Sequence, residues 1–389
     1  MLFELRPADT FFFRDHRPFA VGEDSAAAGL FPPRPGTVYG ALRTAYVLRH
    51  SDLETFYAGR DEAVRAWMGT PSEKGRFRLR GVFLKVGDDL LLPVPFDCVV
   101  VGKTGDSARR LKLVYEPERA GWASDESAWR LYSNSREKTE SAAGMYVRLN
   151  DWKRHLFGGD EPMPAVQVYG RLVVREPKIG IALDPATRRA RDEMLYRVEM
   201  GRFHEEEGRA VSLVAEADDD DAPDFADIPM LRLGGENRPW TLRQLRGSLE
   251  VLTAAERAEV SRRIRETGIA RVVFLTPAIW KRGNRPERFD SETGVWRIDD
   301  GLEVRILTAA LGRPVVIGGW DMARNRPKPR RNALPAGAVV YVEVKPSLAE
   351  TFVETAFRRS LSDELSEEGY GRAVVGAAEA VGGVGVEAR

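Results

Sequence analysis

The chain opens on Leu2-Phe-Glu-Leu-Arg6, a short mix of apolar and charged residues that predicts a first strand. An irregular stretch carrying Phe11-Phe-Phe13 follows, and then the Pro/Gly-rich loop Phe31–Thr37. Apolar residues next recur at helical spacing at Val38, Leu42, Ala45 and Tyr46, with Thr37 in N-cap position, which predicts a helix over Val38–His50. Phe77–Val86 and Leu90–Pro95 flank Gly87-Asp88 and read as a hairpin. Residues 102–165 mix charges, glycines and scattered aromatics (Trp122, Trp129, Trp152) and read as an inserted, mostly loop-like region. Lys178–Leu183 alternates, turns at Asp184-Pro185 and returns through Glu193–Glu199, which predicts a protruding hairpin.

In the second half, Met230–Leu233 reads as a short strand ending in Gly234-Gly-Glu236. A helical stretch is predicted from Thr241 to Thr267, restarted by the capping box Thr253-x-x-Glu256 and stopped at Gly268. Strands follow at Arg271–Thr276, Leu302–Leu307, Pro314–Gly319 and Ala338–Lys345. A second capping box, Ser347-x-x-Glu350, opens a helix to about Leu365, and Arg372–Gly376 is a last strand. The first half thus begins strand, helix, strand, strand; the second ends strand, strand, helix, glycine loop, strand. Both fit a βαββαβ plan, so the expected class is α+β: two fused ferredoxin-like (RRM-like) domains. The first spans residues 1–240, with the insertion 102–165 and the hairpin 178–199, and the second spans 241–389. No repeat is visible at the residue level.

Charge changes the picture only locally. Across 389 residues, 59 Lys and Arg balance 59 Asp and Glu, which excludes a uniformly basic coat. A nucleic-acid partner would have to be held by clusters. One such cluster is Arg324-Asn-Arg-Pro-Lys-Pro-Arg-Arg331, five cations with no acid, in which two prolines hold the backbone extended. Arg324, Arg326, Lys328, Arg330 and Arg331 then form a comb suited to a phosphate backbone; a solvated connector between strands is the other reading. Glu216–Asp227 holds seven acids and no base and predicts a solvated, mobile loop. The single cysteine, Cys98, excludes an internal disulfide framework and fits a reducing cytosol; within the apolar run Phe96–Val101 it reads as buried. No segment approaches the ~18 apolar residues of a membrane span, and the N-terminus lacks a secretion signal. A soluble, cytoplasmic protein with no membrane partner is expected.

Two further loops offer anion chemistry. Gly369-Tyr-Gly-Arg372 lets the backbone approach an anion closely, with Arg372 as a clamp, although a tight helix-to-strand turn explains it equally well. Arg34 and Thr37 stand at a helix N-terminus, and Arg14, His16 and Arg17 in the preceding loop could converge on the same anion. Enzymatic signatures are sparse. Gly87-Asp88-Asp89 is explained by a hairpin turn. His16, His50, His155 and His204 have no chelating spacing. His16 is the one candidate general acid/base, which leaves a metal-independent endoribonuclease as an alternative to a binding protein. No cofactor or metal motif is present.

Three stretches taken together resemble one family. Phe31-Pro-Pro-Arg-Pro-Gly-Thr-Val-Tyr-Gly-Ala-Leu-Arg43, Gly318-Gly-Trp-Asp321 running into the basic comb and Leu334-Pro-Ala-Gly337, and Gly369-Tyr-Gly-Arg-Ala-Val-Val-Gly376 are similar to the RAMP proteins of CRISPR effector complexes. Within these, the resemblance is to the third subunit of the type III-B Cmr complex. Gly180–Asp184 with Leu195-Tyr196, and Leu233-Gly-Gly-Glu236, fit the same pattern. The resemblance implies a non-catalytic subunit that holds the 5′ handle of the guide RNA. It would dock the large polymerase/cyclase-like subunit and an adjacent backbone RAMP subunit, and place a thumb hairpin against target RNA. The equivalent subunit of a type III-A complex would play the same physical part. Carried onto this sequence, RNA contact would fall on Arg14, His16, Arg17, Arg34 and Arg43, on Arg188, Arg189 and Tyr196 of the hairpin, and on the comb and the Gly369, Tyr370, Gly371, Arg372 loop.

Overall fold

The computed structural model describes residues 1–14, 26–27, 29–101, 107–120, 127–133, 135, 137–157, 161–218 and 223–381. The chain is a mixed α+β protein of many antiparallel sheets and few helices. It forms two compact units that interleave along the sequence: Met1–Asp88, Val168–Ser248 and Val316–Arg331 make the first, and Asp89–Gln167, Leu249–Val315 and Asn332–Arg389 the second. This differs from two consecutive blocks meeting at 240. Residues 89–167 pack with the C-terminal part because buried side chains tie them to its sheet.

The first unit contains β1 (Leu2–Pro7), α1 (Pro35–His50), α2 (Leu53–Ala58), α3 (Glu62–Met68) and β2 (Leu79–Val86), and, later in the chain, β3 (Val173–Leu183), β4 (Ala190–Phe203), β5 (Val211–Ala217), β6 (Met230–Arg232) and β7 (Pro239–Leu245). Within this unit, five strands of a larger sheet run antiparallel in the order β2-β5-β1-β7-β6. Alternation puts Phe3 and Leu5 on one face, opposite Ala215 and Leu213, and all four are buried. The Phe3 ring meets Phe225 at 4.8 Å, and Phe77 stacks on Tyr39 of α1 at 5.7 Å, so α1 covers this face with Val38, Tyr39 and Leu42. Helix α1 begins earlier than Thr37. Arg34 is the N-cap residue and Pro35 takes the first turn, where its missing N–H has no partner to lose.

Three sequence expectations change in this unit. The segment from Thr241 is a strand, not a helix: Trp240 and Leu242 are buried while Thr241 and Arg243 are exposed, a two-residue period that pairs with β1. The acidic run is largely structured. Glu216 is buried in β5, Phe225 packs on Phe3, and Asp227 pairs with Arg49 at 2.7 Å; residues 219–222 lie outside the described residues. The hairpin is longer than expected, running from Val173↔Phe203 to Leu183↔Ala190 with a register shift between Ile181 and Leu183. It turns where the Asp184 carboxylate accepts the N–H groups of Ala186 and Thr187. Ile179, Ile181 and Leu183 stand exposed at alternate positions of β3.

The second unit holds α4 (Leu149–Leu156), α5 (Ala254–Thr267), β8 (Ile269–Phe274), β9 (Val295–Asp299), β10 (Leu302–Ala310), β11 (Val339–Glu343), α6 (Ala349–Arg358) and β12 (Ala373–Ala377). Its antiparallel sheet runs β9-β10-β11-β8-β12. One face carries Ala270, Val272, Phe274, Val340, Val342 and Val375, which share a core with Val260 and Ile264 of α5 and Phe352 and Val353 of α6. The Thr253 capping box is formed in both directions, and α5 ends on Gly268 at φ +69°. The Ser347 box is not formed. A 3-10 turn at Pro346–Leu348 makes Leu348 the N-cap residue of α6, and the helix stops at Arg358 rather than near Leu365.

The 102–165 region is not loop-like where it is described. Short strands at Cys98–Val101, Ser107–Arg110 and Thr139–Ser141 pair with one another, and Trp152 of α4 is fully buried with its Nε1–H donated to the Pro93 carbonyl at 3.2 Å. Strands of three or four residues are too short to show a period in sequence. Among the described residues, no helix is long and apolar enough to cross a membrane.

Candidate nucleic-acid interface

The basic comb is a small hairpin of the first unit, in which Trp320–Asp321 pairs antiparallel with Arg326–Pro327. Its tip is fastened by Arg324, which pairs with Asp321 at 2.9 Å, so Arg324 is engaged in the turn. Beyond the tip, the Lys328 N–H donates to the Gly319 carbonyl at 2.9 Å. A Cβ on Gly319 would lie 3.6 Å from the Lys328 stem, and one on Gly318 would lie 3.9 Å from the Arg330 stem, so the glycine pair leaves room for both cationic side chains to lie across it. Arg326, Lys328 and Arg330 are exposed and form no ion pair among the described residues. Arg331 donates to the Pro329 carbonyl at 3.3 Å. Pro327 and Pro329 bias the residues before them toward extended backbone, which spaces three cations along one track.

Other sequence candidates are placed differently. Arg43 is a brace. Its guanidinium donates to the carbonyls of Met68 at 2.6 Å and Thr70 at 2.5 Å and lies over Phe56 at 5.1 Å, closing the end of α3. Arg34 is half-buried at the N-cap of α1 and Arg14 is exposed beside its bridge to Gly29; His16 and Arg17 lie outside the described residues. Arg188 and Arg189 are exposed at the β3–β4 turn. Tyr196 packs its ring over Gly180, directly opposite in the ladder, where any Cβ would come within 2.2 Å of Cζ; its role there is to fill the glycine's gap.

The Gly369–Arg372 loop, in the second unit, is the main correction. All four residues are buried. Three of their N–H groups are already used: Gly369 donates to Ser366 O at 3.3 Å, Gly371 to Pro277 O at 2.8 Å and Arg372 to Thr276 Oγ1 at 2.9 Å. The Arg372 guanidinium donates to the Phe357 carbonyl and lies over the Phe357 ring at 5.0 Å. This is a packed helix-to-strand turn, not an open anion cradle. Gly371 sits at φ +74°, and a Cβ there would be 2.4 Å from the Ser362 N. Gly371→Ala is therefore expected to cost about 2 kcal/mol or more, from positive φ and overlap together, read as a lower urea midpoint with unchanged slope.

The same unit contains a polar group that no motif announced. Arg271 and Tyr341 are opposite neighbours on β8 and β11, on the face away from α5 and α6. Both reach Asp97: the guanidinium at 2.6 Å and the phenol, donating, at 2.7 Å. Asp97 and Arg271 are completely buried. Burial pushes the Asp97 carboxyl up, but the Arg271 cation holds it below the usual carboxylate range. The Cys98 Sγ lies 3.3 Å from His155 Nε2 and 3.6 Å from Asp97 Oδ1. Burial, then Asp97, drives the thiol well above its usual range, so it stays protonated. Burial and Arg271 press His155 down to about 3, so it stays neutral. Asp97, Cys98 and His155 lie close enough to share a metal ion. The carboxylate is already engaged by Arg271 and Tyr341, however, and the adjacent guanidinium repels a second cation. With no exposed nucleophile, the arrangement is a closed polar core.

A family model described as CRISPR-associated protein (Cas_Cmr3) matches residues 3–378. No curated protein sequence matches the chain. Among solved structures, the chain is similar to one in the cryo-electron-microscopy structure of the type III-B Cmr-beta complex bound to cognate target RNA and AMPPnP (state 1). That match has a TM-score of 0.51 and 14% identity and covers 95% of both chains. A second match, in Cmr-beta bound to cognate target RNA, has a TM-score of 0.49 and 15% identity and covers 88% of this chain and 86% of the other. At 14% identity, the first of these is a likeness of fold alone. The family match runs over nearly the whole chain, and this protein belongs to the CRISPR-associated Cmr3 family.

Proposed function

We propose that the chain is the non-catalytic guide-RNA-binding subunit of a type III-B effector complex. In this reading it holds the 5′ handle of the guide RNA and docks the large polymerase/cyclase-like subunit and an adjacent backbone subunit. The observation that carries the proposal is the family match over residues 3–378. Strand order supports the two ferredoxin-like domains: β2-β5-β1-β7 and β10-β11-β8-β12 each follow the 2-3-1-4 order of such a sheet. Helix α1 lies between the first and second strands of one, and α6 between the third and fourth of the other. The long β3–β4 hairpin, with exposed Ile179, Ile181 and Leu183 and with Arg188 and Arg189 at its turn, has the make-up of a thumb against a guide–target duplex.

The handle site is assigned to the 318–331 hairpin, because Arg326, Lys328 and Arg330 are exposed cations on extended backbone. Single-stranded RNA is held by local backbone clamps rather than by a uniform field, which reconciles RNA binding with zero net charge. Replacing Arg326, Lys328 and Arg330 together with alanine should weaken handle RNA binding and reduce the slope of log K against log salt by about 2, at ~0.7 per lost single-strand phosphate contact. Filter binding between 50 and 300 mM salt measures both. An unchanged slope, or equal binding of handle and unrelated RNA, would reject the assignment.

A further inference from the structure

We infer that Trp320 is a stacking platform for one unpaired RNA base, held beside the phosphate track of the same hairpin. The inference rests on the handle-binding reading and extends it from backbone contact to base contact. Trp320 is 49% exposed and Met322 is 78% exposed, although the indole offers one of the largest apolar surfaces a side chain can bury. No other tryptophan among the described residues is so exposed. Nothing in the fold requires an indole there: the hairpin's own ties are the Arg324–Asp321 pair and the backbone pairing.

The surroundings suit a flat ring system. Trp320 stands directly opposite Pro327 in the ladder, so both side chains lie on the same side of the ribbon, with a rigid ring beside the indole. Gly318 and Gly319 precede it, and the Arg330 and Lys328 stems that lie against them bring two cations next to the indole. Arg326, Lys328 and Arg330 occupy alternate positions, about 6.6–7 Å apart on extended backbone, a repeat comparable to that of phosphates along a stretched single strand. By alternation from Pro327, Arg326 projects to the side away from Trp320, while the Lys328 and Arg330 stems lie against Gly319 and Gly318. The ribbon is only two strands wide, roughly 5 Å between them. A strand lying along its edge therefore meets the cations with its phosphates and turns one base over onto the indole. A double helix, with its bases paired inside, could not use both faces in this way. The ligand class is single-stranded RNA with one splayed base.

The test uses the full chain with handle RNA, and with a set of the same RNA made abasic at one position at a time. Trp320→Ala should weaken binding of the complete RNA by roughly 5- to 150-fold, the range for losing one base–aromatic stack, while Trp320→Phe restores most of it. One abasic position should weaken the unaltered protein by the same factor and have no further effect on Trp320→Ala. The thermal midpoint of the variant should not move. Equal binding by Trp320→Ala, or a loss of the same size for every abasic RNA with no position that becomes silent, would overturn the stacking role. So would weakened binding to the large subunit with RNA affinity unchanged, which would make the exposed indole a protein contact. Failure of the unaltered protein to bind any of these RNAs would instead reject the handle-binding reading on which this one stands.

Discussion

Replacing Arg271 with methionine is expected to lower folding stability by about 3–5 kcal/mol, the usual result of stranding one member of a buried ion pair. Asp97 has no exposure, and the Arg271 guanidinium is the cation it contacts, at 2.6 Å. Without it the carboxylate must stay charged and buried with no cation in contact, take up a proton, or break the packing around β8. The pair is costly even when intact, because the Nε and Nη1 of Arg271 find no hydrogen-bond partner among the described residues. Arg271→Met combined with Asp97→Asn should therefore recover most of the loss, as the stranded charge is removed while the side chains stay close in volume. Denaturant midpoints of the two single variants and the double variant measure the coupling. A loss under 1 kcal/mol for Arg271→Met, with no recovery in the double, would show that the pair does not hold the second unit together.

Stability should also fall as the solution is made mildly acidic, and His155 should account for much of the fall. In the folded chain its pKa is pressed down to about 3, first by burial and then by Arg271, from an ordinary 6.5. Between those values the unfolded chain takes up a proton that the folded chain refuses, so the contribution is complete above 6.5 and is lost as pH drops toward 3. The slope is about 1.4 kcal/mol per pH unit, which accumulates to roughly 4–5 kcal/mol by the bottom of the window. His155→Gln should flatten the stability profile between pH 6.5 and 5, where ordinary unfolded carboxylates near 4 still contribute little. Parallel slopes for the two proteins over that interval would mean that His155 is protonated inside the fold at no cost.

Much of the local chemistry was readable in the sequence, the Ser347 box and the Thr37 cap being exceptions, and distant chemistry was not. The Thr253 capping box, the Gly87-Asp88 turn and the core of α1 each rest on residues a few positions apart, and each is formed. The proline-spaced comb was readable for the same reason, since Pro327 and Pro329 act on their immediate neighbours. Strand β7 was misread because its five-residue alternation runs into the helical pattern of α5. The Gly369–Arg372 loop was misread because a glycine that admits an anion and one that admits a neighbouring backbone look alike; only the approach of Ser362 separates them. The buried pair left one usable trace. An arginine stands inside the otherwise apolar run Ile269–Phe274, and an aspartate inside Pro95–Val101. A charge at the centre of a buried strand requires an opposite charge somewhere in the chain.

That pairing also governs when the molecule can be finished. The aspartate leaves the ribosome 174 residues ahead of its arginine and 244 ahead of its tyrosine. At roughly 5–20 residues per second, the nascent carboxylate waits about 10–35 s for its cation. Until then the carboxylate has no arginine to meet, and the first unit still lacks its 316–331 segment. Strands β1, β2, β5, β6 and β7 of the first unit are all made by residue 245, whereas the second unit can close around its buried carboxylate only once Arg271 and then Tyr341 have emerged.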